Sequence, residues 1–367
     1  GVTLLTLYED VKVGTRILVD DGAVEFEVES INGVKINCIT LNSGKISNRK
    51  SINVPNVAIS MPFISEKDRN DILFGIEQDV DYIAASFVRE AKDVNELRKL
   101  LIENGGGNIK IISKIENLQG IQNLDEIVEA SDGIMVARGD MGVEVPFNEL
   151  PPIQKEIIKK CYYSGKIVVT ATQMLESMTK SPRPTRAEVS DVANAIYDGT
   201  TAIMLSGETA MGDYPIESVR AMSQIAIKTE ESINYKKRFE TNHLNLGTKV
   251  MSAVANAACI SANQLDATIL AITRRGVTAR AIANYRPNGP IIAVTPHEQT
   301  CRQLNLVWNV TPVMDKTQFN GLVNLDFDSA IEIALAQSII QKGDLVVMAG
   351  GVKQSDLQTG MLKIQKA

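Results

Sequence analysis

Four charged residues in one stretch could do chemistry together. Lys114 and Glu116 stand two apart, and Arg138 and Asp140 follow with Gly139 between them. Two carboxylates plus substrate oxygens are a common way to hold Mg²⁺ or Mn²⁺. A lysine beside such an ion neutralises a transferring phosphoryl group, and its ordinary pKa of about 10.4 keeps it charged there. The set therefore suits a phosphorylated substrate and a divalent metal. The competing reading is a structural ion-pair network, because charged strand rims are common.

The pattern around these residues predicts how they are held. The apolar run 109–113 reads as a buried strand that delivers Lys114 and Glu116 at its carboxyl end. A helix over 123–130 and a strand over 133–137 follow, and the second strand delivers Arg138, Gly139 and Asp140. In parallel α/β folds, ligands are handled at the carboxyl ends of strands. The glycines mark places where backbone must come close to something.

The alternation extends on both sides. Ser65 with Asp68 is a capping signal for a helix over 66–77. Strand 82–88 and helix 94–103 come next. Beyond the central unit lie helix 153–164, strand 167–172, helix 186–197, strand 201–206 and helix 216–231. Such β-α repeats argue for parallel strands with right-handed crossovers. Ahead of Pro55 the rhythm is different. Residues 1–54 read as a small β domain, with Asp20-Asp21-Gly22 and Asn32-Gly33 at hairpin turns. Residues 232–247 read as a linker. A helix over 249–265 then opens a second, open α/β domain, with strands at 268–272, 291–294, 310–313 and 345–348. The tail 361–366 is expected to add an edge strand.

Several long motifs carry a family resemblance. SKIEN at 113–117, ARGDMGVE at 137–144, TATQMLESM at 170–178, PRPTRAEVSDVANA at 182–195 and IMLSGETAMGDYP at 203–215 resemble pyruvate kinase, in family order and spacing. The resemblance implies an α/β fold: a (β/α)8 TIM-type barrel, an inserted small β-barrel lid and a C-terminal open α/β domain. Here it covers strands four to eight of the barrel. The implied division is 1–54 for part of the lid, 55–231 for part of the barrel and 232–367 for the C-terminal domain.

The implied reaction is phosphoryl transfer from phosphoenolpyruvate to ADP, giving pyruvate and ATP. Lys114 then contacts the phosphoryl group in flight, and Glu116 and Asp140 hold Mg²⁺ or Mn²⁺. Thr172 hydrogen-bonds substrate and relays a proton to the enolate carbon through water; the alternative is a strand-end threonine that caps 173–178. Ala137, Arg138, Gly139, Asp140 and Thr172 are implied substrate contacts, with the Gly139–Asp140 amides as a nest for the substrate carboxylate. Arg138 either touches ligand or props its loop. Ser206 and Glu208 are expected to support Thr172, and Met174, Met178 and Met211 to pack. Lys50 matches a lysine that approaches the nucleotide phosphates; otherwise it is a solvated turn residue.

In the second domain, Thr273, Arg274, Arg275, Gly276 and Thr278 resemble the family's effector loop, with Arg275 where a serine is usual. A strand-loop-helix start of this kind is a natural phosphate site. A sugar-phosphate or nucleotide effector stands there against a plain structural loop. The second effector loop, near 350–359, departs from the family's Gly/Pro-rich pattern. The family also implies K⁺, with ligands outside this chain, and a homotetramer. Three barrel strands and the start of the lid have no counterpart here, so the expectation is that this chain alone has very little activity. The readings that compete are another barrel enzyme using phosphoenolpyruvate or pyruvate, and an inactive effector-binding module.

Composition narrows the field further. With 38 Lys plus Arg against 44 Asp plus Glu, the net charge is −6, which gives no footprint for nucleic acid or an anionic membrane. No apolar run reaches the roughly 18 residues of a membrane-spanning helix. Cys38, Cys161, Cys259 and Cys301 form no CxxC pair and read as free thiols in a reducing compartment, the cytoplasm. His243 and His297 are the only histidines and lie away from the motifs, against histidine acid–base chemistry or a multi-histidine zinc site.

Overall fold

The computed structural model describes residues 2–57, 59–241, 249–315, 327–350 and 360–367. They form two compact units. Unit 1 comprises Gly1–Lys160, Val168–Asp191 and Ile203–Met222; unit 2 comprises Cys161–Ile167, Val192–Ala202 and Ser223–Ala367.

Unit 1 begins with an antiparallel sheet. Its strands are β1 (Arg16–Val19), β2 (Val24–Asn32), β3 (Lys35–Thr40) and β4 (Ile52–Asn53), in the order β3-β2-β1-β4. Both expected hairpins are present. Asp20, Asp21 and Gly22 take φ of 59°, 53° and 84°, and Gly33 takes 60°, the left-handed conformations such turns demand. Leu7, Val11, Ile17, Val28 and Val54 make the small core. The residues before β1 depart from the expected strand, because Leu7–Asp10 is one helical turn.

The second sheet of the chain runs in the order β5 (Tyr82–Ala85), β6 (Lys110–Ile115), β7 (Gly133–Ala137), β8 (Ile167–Ala171) and β9 (Ala202–Ile203). The β5–β6 and β6–β7 pairs are parallel. Every residue of β7 and β8 is buried, as in a sheet covered on both faces, and this is why their sequences are apolar without alternation. The helix Glu66–Glu77 starts with the expected capping box of Ser65 and Asp68.

Three differences from the expected elements have a visible reason. The expected helix 123–130 is Leu124–Ala130, and a further short helix, Leu118–Gln122, precedes it. Asn117 caps that short helix by accepting the Gly120 N–H at 2.7 Å, and a Cβ at Gly120 would lie 2.7 Å from the Val88 carbonyl. Strand 82–88 stops at Ala85, because Phe87 turns to φ +55° and gives its N–H to Glu116. Strand 201–206 shrinks to Ala202–Ile203, where the Ser206 N–H instead donates to Glu208 Oε2.

Unit 2 carries the sheet of β10 (Thr268–Ile272), β11 (Ile291–Thr295), β12 (Val310–Met314), β13 (Leu345–Gly350) and β14 (Met361–Lys366), in the order β12-β11-β10-β13-β14. The first four are parallel, and β14 pairs antiparallel with β13 as the expected edge strand. Leu270, Ile292, Val294, Val313, Val346 and Met348 form its core with Ala330 and Ile331. The expected linker holds a helix, Tyr235–Thr241; its next residues, 242–248, lie outside the described set, as do 351–359 of the second expected effector loop. Among the described residues no helix is long and apolar enough to cross a membrane.

Candidate active site

Strand β6 alternates its side chains, so Ile111 and Ile115 are buried while Lys114 faces the rim, half-buried. The Lys114 ammonium lies 2.5 Å from Glu116 Oε1 and donates to Ser86 Oγ at 2.8 Å. Glu116 is fully buried. Its Oε2 accepts the Phe87 N–H at 2.6 Å, whereas Oε1 meets the Lys114 ammonium. Burial pushes its carboxyl above the usual range; Lys114 and the Phe87 N–H pull it back down, and the charge of Asp140 pushes it up again. Glu116 and Asp140 therefore feel each other, as a shared cation would require.

Ala137 is buried and offers only backbone. The chain then enters the helix Arg138–Glu144, not the loop the strand pattern predicts, so Asp140 sits in a first helical turn. Glu144, one turn on, accepts from Asn53 of β4 at 3.3 Å. Burial and the nearby Asp140 charge raise its carboxyl, opposed by Asn53.

Arg138 is turned to protein groups. Its guanidinium is buried and spent on protein groups. Nε donates to the carbonyls of Ala171 and Thr172 at 3.2 and 3.1 Å, and a terminal nitrogen donates to the Thr172 carbonyl at 2.5 Å. The other terminal nitrogen meets Asp191 at 2.6 Å. Of the two readings of Arg138, contact or prop, the geometry favours the prop.

What it props is unusual backbone. Thr172 and Gln173 have φ of +66° and +53°, a region that costs a β-branched residue of order 1–3 kcal/mol. The Thr172 hydroxyl donates to the Ala171 carbonyl and accepts the Gly139 N–H, both at 2.7 Å. The Gly139 amide, expected in a nest for substrate, is thus turned to Thr172. Beyond it, Glu208 is buried and accepts the N–H groups of Leu175 and Ser206, rather than a group of Thr172. Met174 and Met178 are fully buried, but Met211 is exposed, against its expected packing role.

Lys50 donates to Asp20 at 2.8 Å within the antiparallel sheet. That bond and the Asp20 charge raise its pKa. None of its described contacts reaches Lys114, Glu116, Asp140 or Thr172. In unit 2, Thr273 and Thr278 are buried, Arg274 and Arg275 are exposed, and Gly276 takes φ +74° ahead of the helix Val277–Asn284. The Arg275 carbonyl accepts from Arg280, and the Arg274 carbonyl from Thr300.

Ser86, Phe87, Asn53, Glu144 and Asp191 are the contributors that sequence reasoning missed. Ser86 and Phe87 carried one signal, their place at the carboxyl end of a predicted strand. The site fits a divalent cation: a buried carboxylate whose Oε1 meets a mobile cationic side chain and no backbone group, a second carboxylate that feels its charge, and hard oxygen ligands. Among the described residues no group of three or more His, Cys, Asp or Glu side chains forms a complete protein cage.

Comparison with known proteins agrees with this geometry. The family model for the pyruvate kinase barrel domain matches residues 1–219, and that for the pyruvate kinase alpha/beta domain matches 252–365. The chain is 49% identical to pyruvate kinase of Clostridium acetobutylicum over 367 residues, all of this chain and 77% of that protein. It is 48% identical to pyruvate kinase of Bacillus licheniformis and 47% to that of Geobacillus stearothermophilus, spanning 62% of the length of each. On these matches, the chain belongs to the pyruvate kinase family of phosphotransferases.

Proposed function

We propose that the protein moves a phosphoryl group from phosphoenolpyruvate to ADP and protonates the resulting enolate to pyruvate. The observation that carries this is the Lys114–Glu116 pair with Asp140 and Thr172 on one rim. Lys114 places a fixed positive charge where the transferring group's oxygens lie, which a loose, charge-spread transition state needs. Glu116 and Asp140 are the residues to hold Mg²⁺, or Mn²⁺ in its place. Bound there, the ion supplies charge neutralisation for the substrate's carboxylate, enolate and phosphoryl oxygens. The Thr172 hydroxyl serves the enolate, turning its proton from the Ala171 carbonyl toward the reacting carbon through a water. Arg138 and Asp191 keep that threonine in its left-handed backbone. The Asn53–Glu144 bond ties the small antiparallel sheet to the helix bearing Asp140, which suits a lid that excludes water.

The same reading extends to finer points. The three-part division at 1–54, 55–231 and 232–367 is part of it, as are a homotetramer, K⁺ bound outside this chain and Lys50 turning to nucleotide on closure. The exposed Arg274 and Arg275 above a helix start suit a sugar-phosphate or nucleotide effector. The free thiols suit the cytoplasm.

The test is coupled detection of pyruvate from phosphoenolpyruvate, ADP and Mg²⁺ by the intact protein. Metal-dependent pyruvate formation is the expected result. Effector binding without any turnover would replace this reading with an inactive binding module.

A further inference from the structure

The Lys114–Glu116 pair has an internal difficulty. At 2.5 Å the ammonium holds Glu116 Oε1, the oxygen that no backbone N–H reaches. It must leave that oxygen when a cation arrives, and a lysine with no other acceptor would compete with the cation and leave the phosphoryl group unattended. Something must keep the ammonium in place once it leaves.

Two consecutive residues after β5 contact both members of the pair. Ser86 Oγ accepts from the Lys114 ammonium at 2.8 Å, on a different line from Glu116. The next residue, Phe87, gives its N–H to Glu116 Oε2 at 2.6 Å and so leaves Oε1 to the lysine. The turn adopts a costly shape to do this: Phe87 sits at φ +55° and is 52% exposed. A bulky residue in that region is a genuine outlier that the surroundings must hold in place. No apolar burial repays it at the ring, so the turn's return lies in what its backbone and the neighbouring hydroxyl hold.

We propose that Ser86 is a positioning residue for Lys114. Its hydroxyl shares the ammonium with Glu116 and keeps hold of it, directed at the incoming phosphoryl oxygens, when a divalent cation takes Glu116 Oε1. The proposal rests on the metal and phosphoryl roles given above to Glu116 and Lys114. A hydrogen bond to a charged group is worth roughly a tenfold change in equilibrium, so its loss should be measurable.

The test is a Mn²⁺ titration followed by water proton relaxation, on the intact protein and without turnover. Ser86→Ala should weaken Mn²⁺ binding about tenfold, because the ammonium then has no second acceptor to stay on when the cation displaces it from Glu116. Ser86→Thr, which keeps the hydroxyl, should restore parental affinity. In a Lys114→Met background Ser86→Ala should have no further effect, since the residue acts only through the lysine. Three results would overturn the proposal: parental Mn²⁺ affinity in Ser86→Ala, a tenfold loss that persists in the Lys114→Met background, or an affinity indifferent to Glu116→Gln. Because the titration needs no chemistry, a protein that shows the full cycle yet forms no pyruvate would refute the proposed reaction and leave this role for Ser86 standing.

Discussion

The two ends of strand β6 make opposite use of the same ingredients. At the amino end, Asp132 accepts the Ile111 N–H at 3.0 Å, meets Arg98 at 3.1 Å and lies 3.6 Å from Lys110. Burial opposes its ionisation, but the amide and the two cations prevail and hold its carboxyl below the usual range. At the carboxyl end, Glu116 also has a lysine and an amide, but it is fully buried and faces a second carboxylate. Its carboxyl is pushed up instead. One end is neutralised by two cations, the other by one against a second negative charge. A structural ion pair is completed by the protein, whereas a binding site leaves part of its valence for what arrives. This difference favours the catalytic reading of the rim over the ion-pair network that the sequence alone kept open.

The sharpest way to break the comparison is to remove the rim's cation. Lys114→Met should cut phosphoryl transfer about 10²–10³-fold, the cost of deleting one preorganised charge from a transition state. Slow metal-dependent enolisation of pyruvate should survive, because Thr172 serves that step. ATP formation within tenfold of the parent would return Lys114 to the structural class.

Next in size is the carboxylate pair. Glu116→Gln and Asp140→Asn should each weaken Mn²⁺ binding at least about tenfold. Neither should lower the melting temperature, and Glu116→Gln should leave it equal or higher, because an under-satisfied buried charge stabilises nothing. A clear loss of stability with unchanged metal affinity in both variants would make the rim resemble the Asp132 end.

A smaller effect is expected in unit 2, where the loop 273–278 between β10 and the next helix repeats the strand-loop-helix grammar with two arginines and no carboxylate. Arg138 is buried among acceptors, whereas Arg274 and Arg275 stay exposed. If that pair takes an anionic effector, a sugar phosphate or nucleotide monophosphate should lower half-saturating phosphoenolpyruvate about fivefold. Arg274→Glu should abolish the response and leave the uneffected rate alone. A broad panel of such anions without effect would leave a structural loop.

Much of this architecture was legible from residue order. Fully apolar runs such as 133–137 can only be buried parallel strands, and Ser65 with Asp68 announced its helix; both appear where expected. The candidate residues were legible too, because their types and spacing state their chemistry. What stayed hidden depends on the third dimension. Nothing local says that Arg138 turns back to prop Thr172, since its acceptors lie more than thirty positions away. Phe87 has no sequence mark of a left-handed residue; φ +55° is imposed by the bond to Glu116, twenty-nine residues on. The helix Leu118–Gln122 stayed hidden because what surrounds it is distant in sequence: Gly120 passes the Val88 carbonyl, and the Asn123 side chain after it serves the Arg89 carbonyl.

The gentlest probe is acid. Asp132 has a lowered folded-state pKa, so it stabilises the fold above its ordinary value near 3.8 and loses that contribution as pH falls through the lower folded value. Glu116 has a raised one, so it favours the fold only while protonated and costs stability as pH climbs from 4.5 through its folded value. Removing each group should therefore change the pH–stability curve in opposite senses. Asp132→Asn should lower stability at neutral pH by about 1–2 kcal/mol, the worth of a charged hydrogen bond, and flatten the acid limb. Glu116→Gln should raise the neutral side relative to the acid side. Urea unfolding at a series of pH values reads both. Because the two residues sit at opposite ends of one strand with no shared partner, the double variant should show the sum of the single effects within roughly 0.5 kcal/mol. Curves that shift in the same direction would mean that both carboxylates are structural, and the contrast between the ends of β6 would be lost.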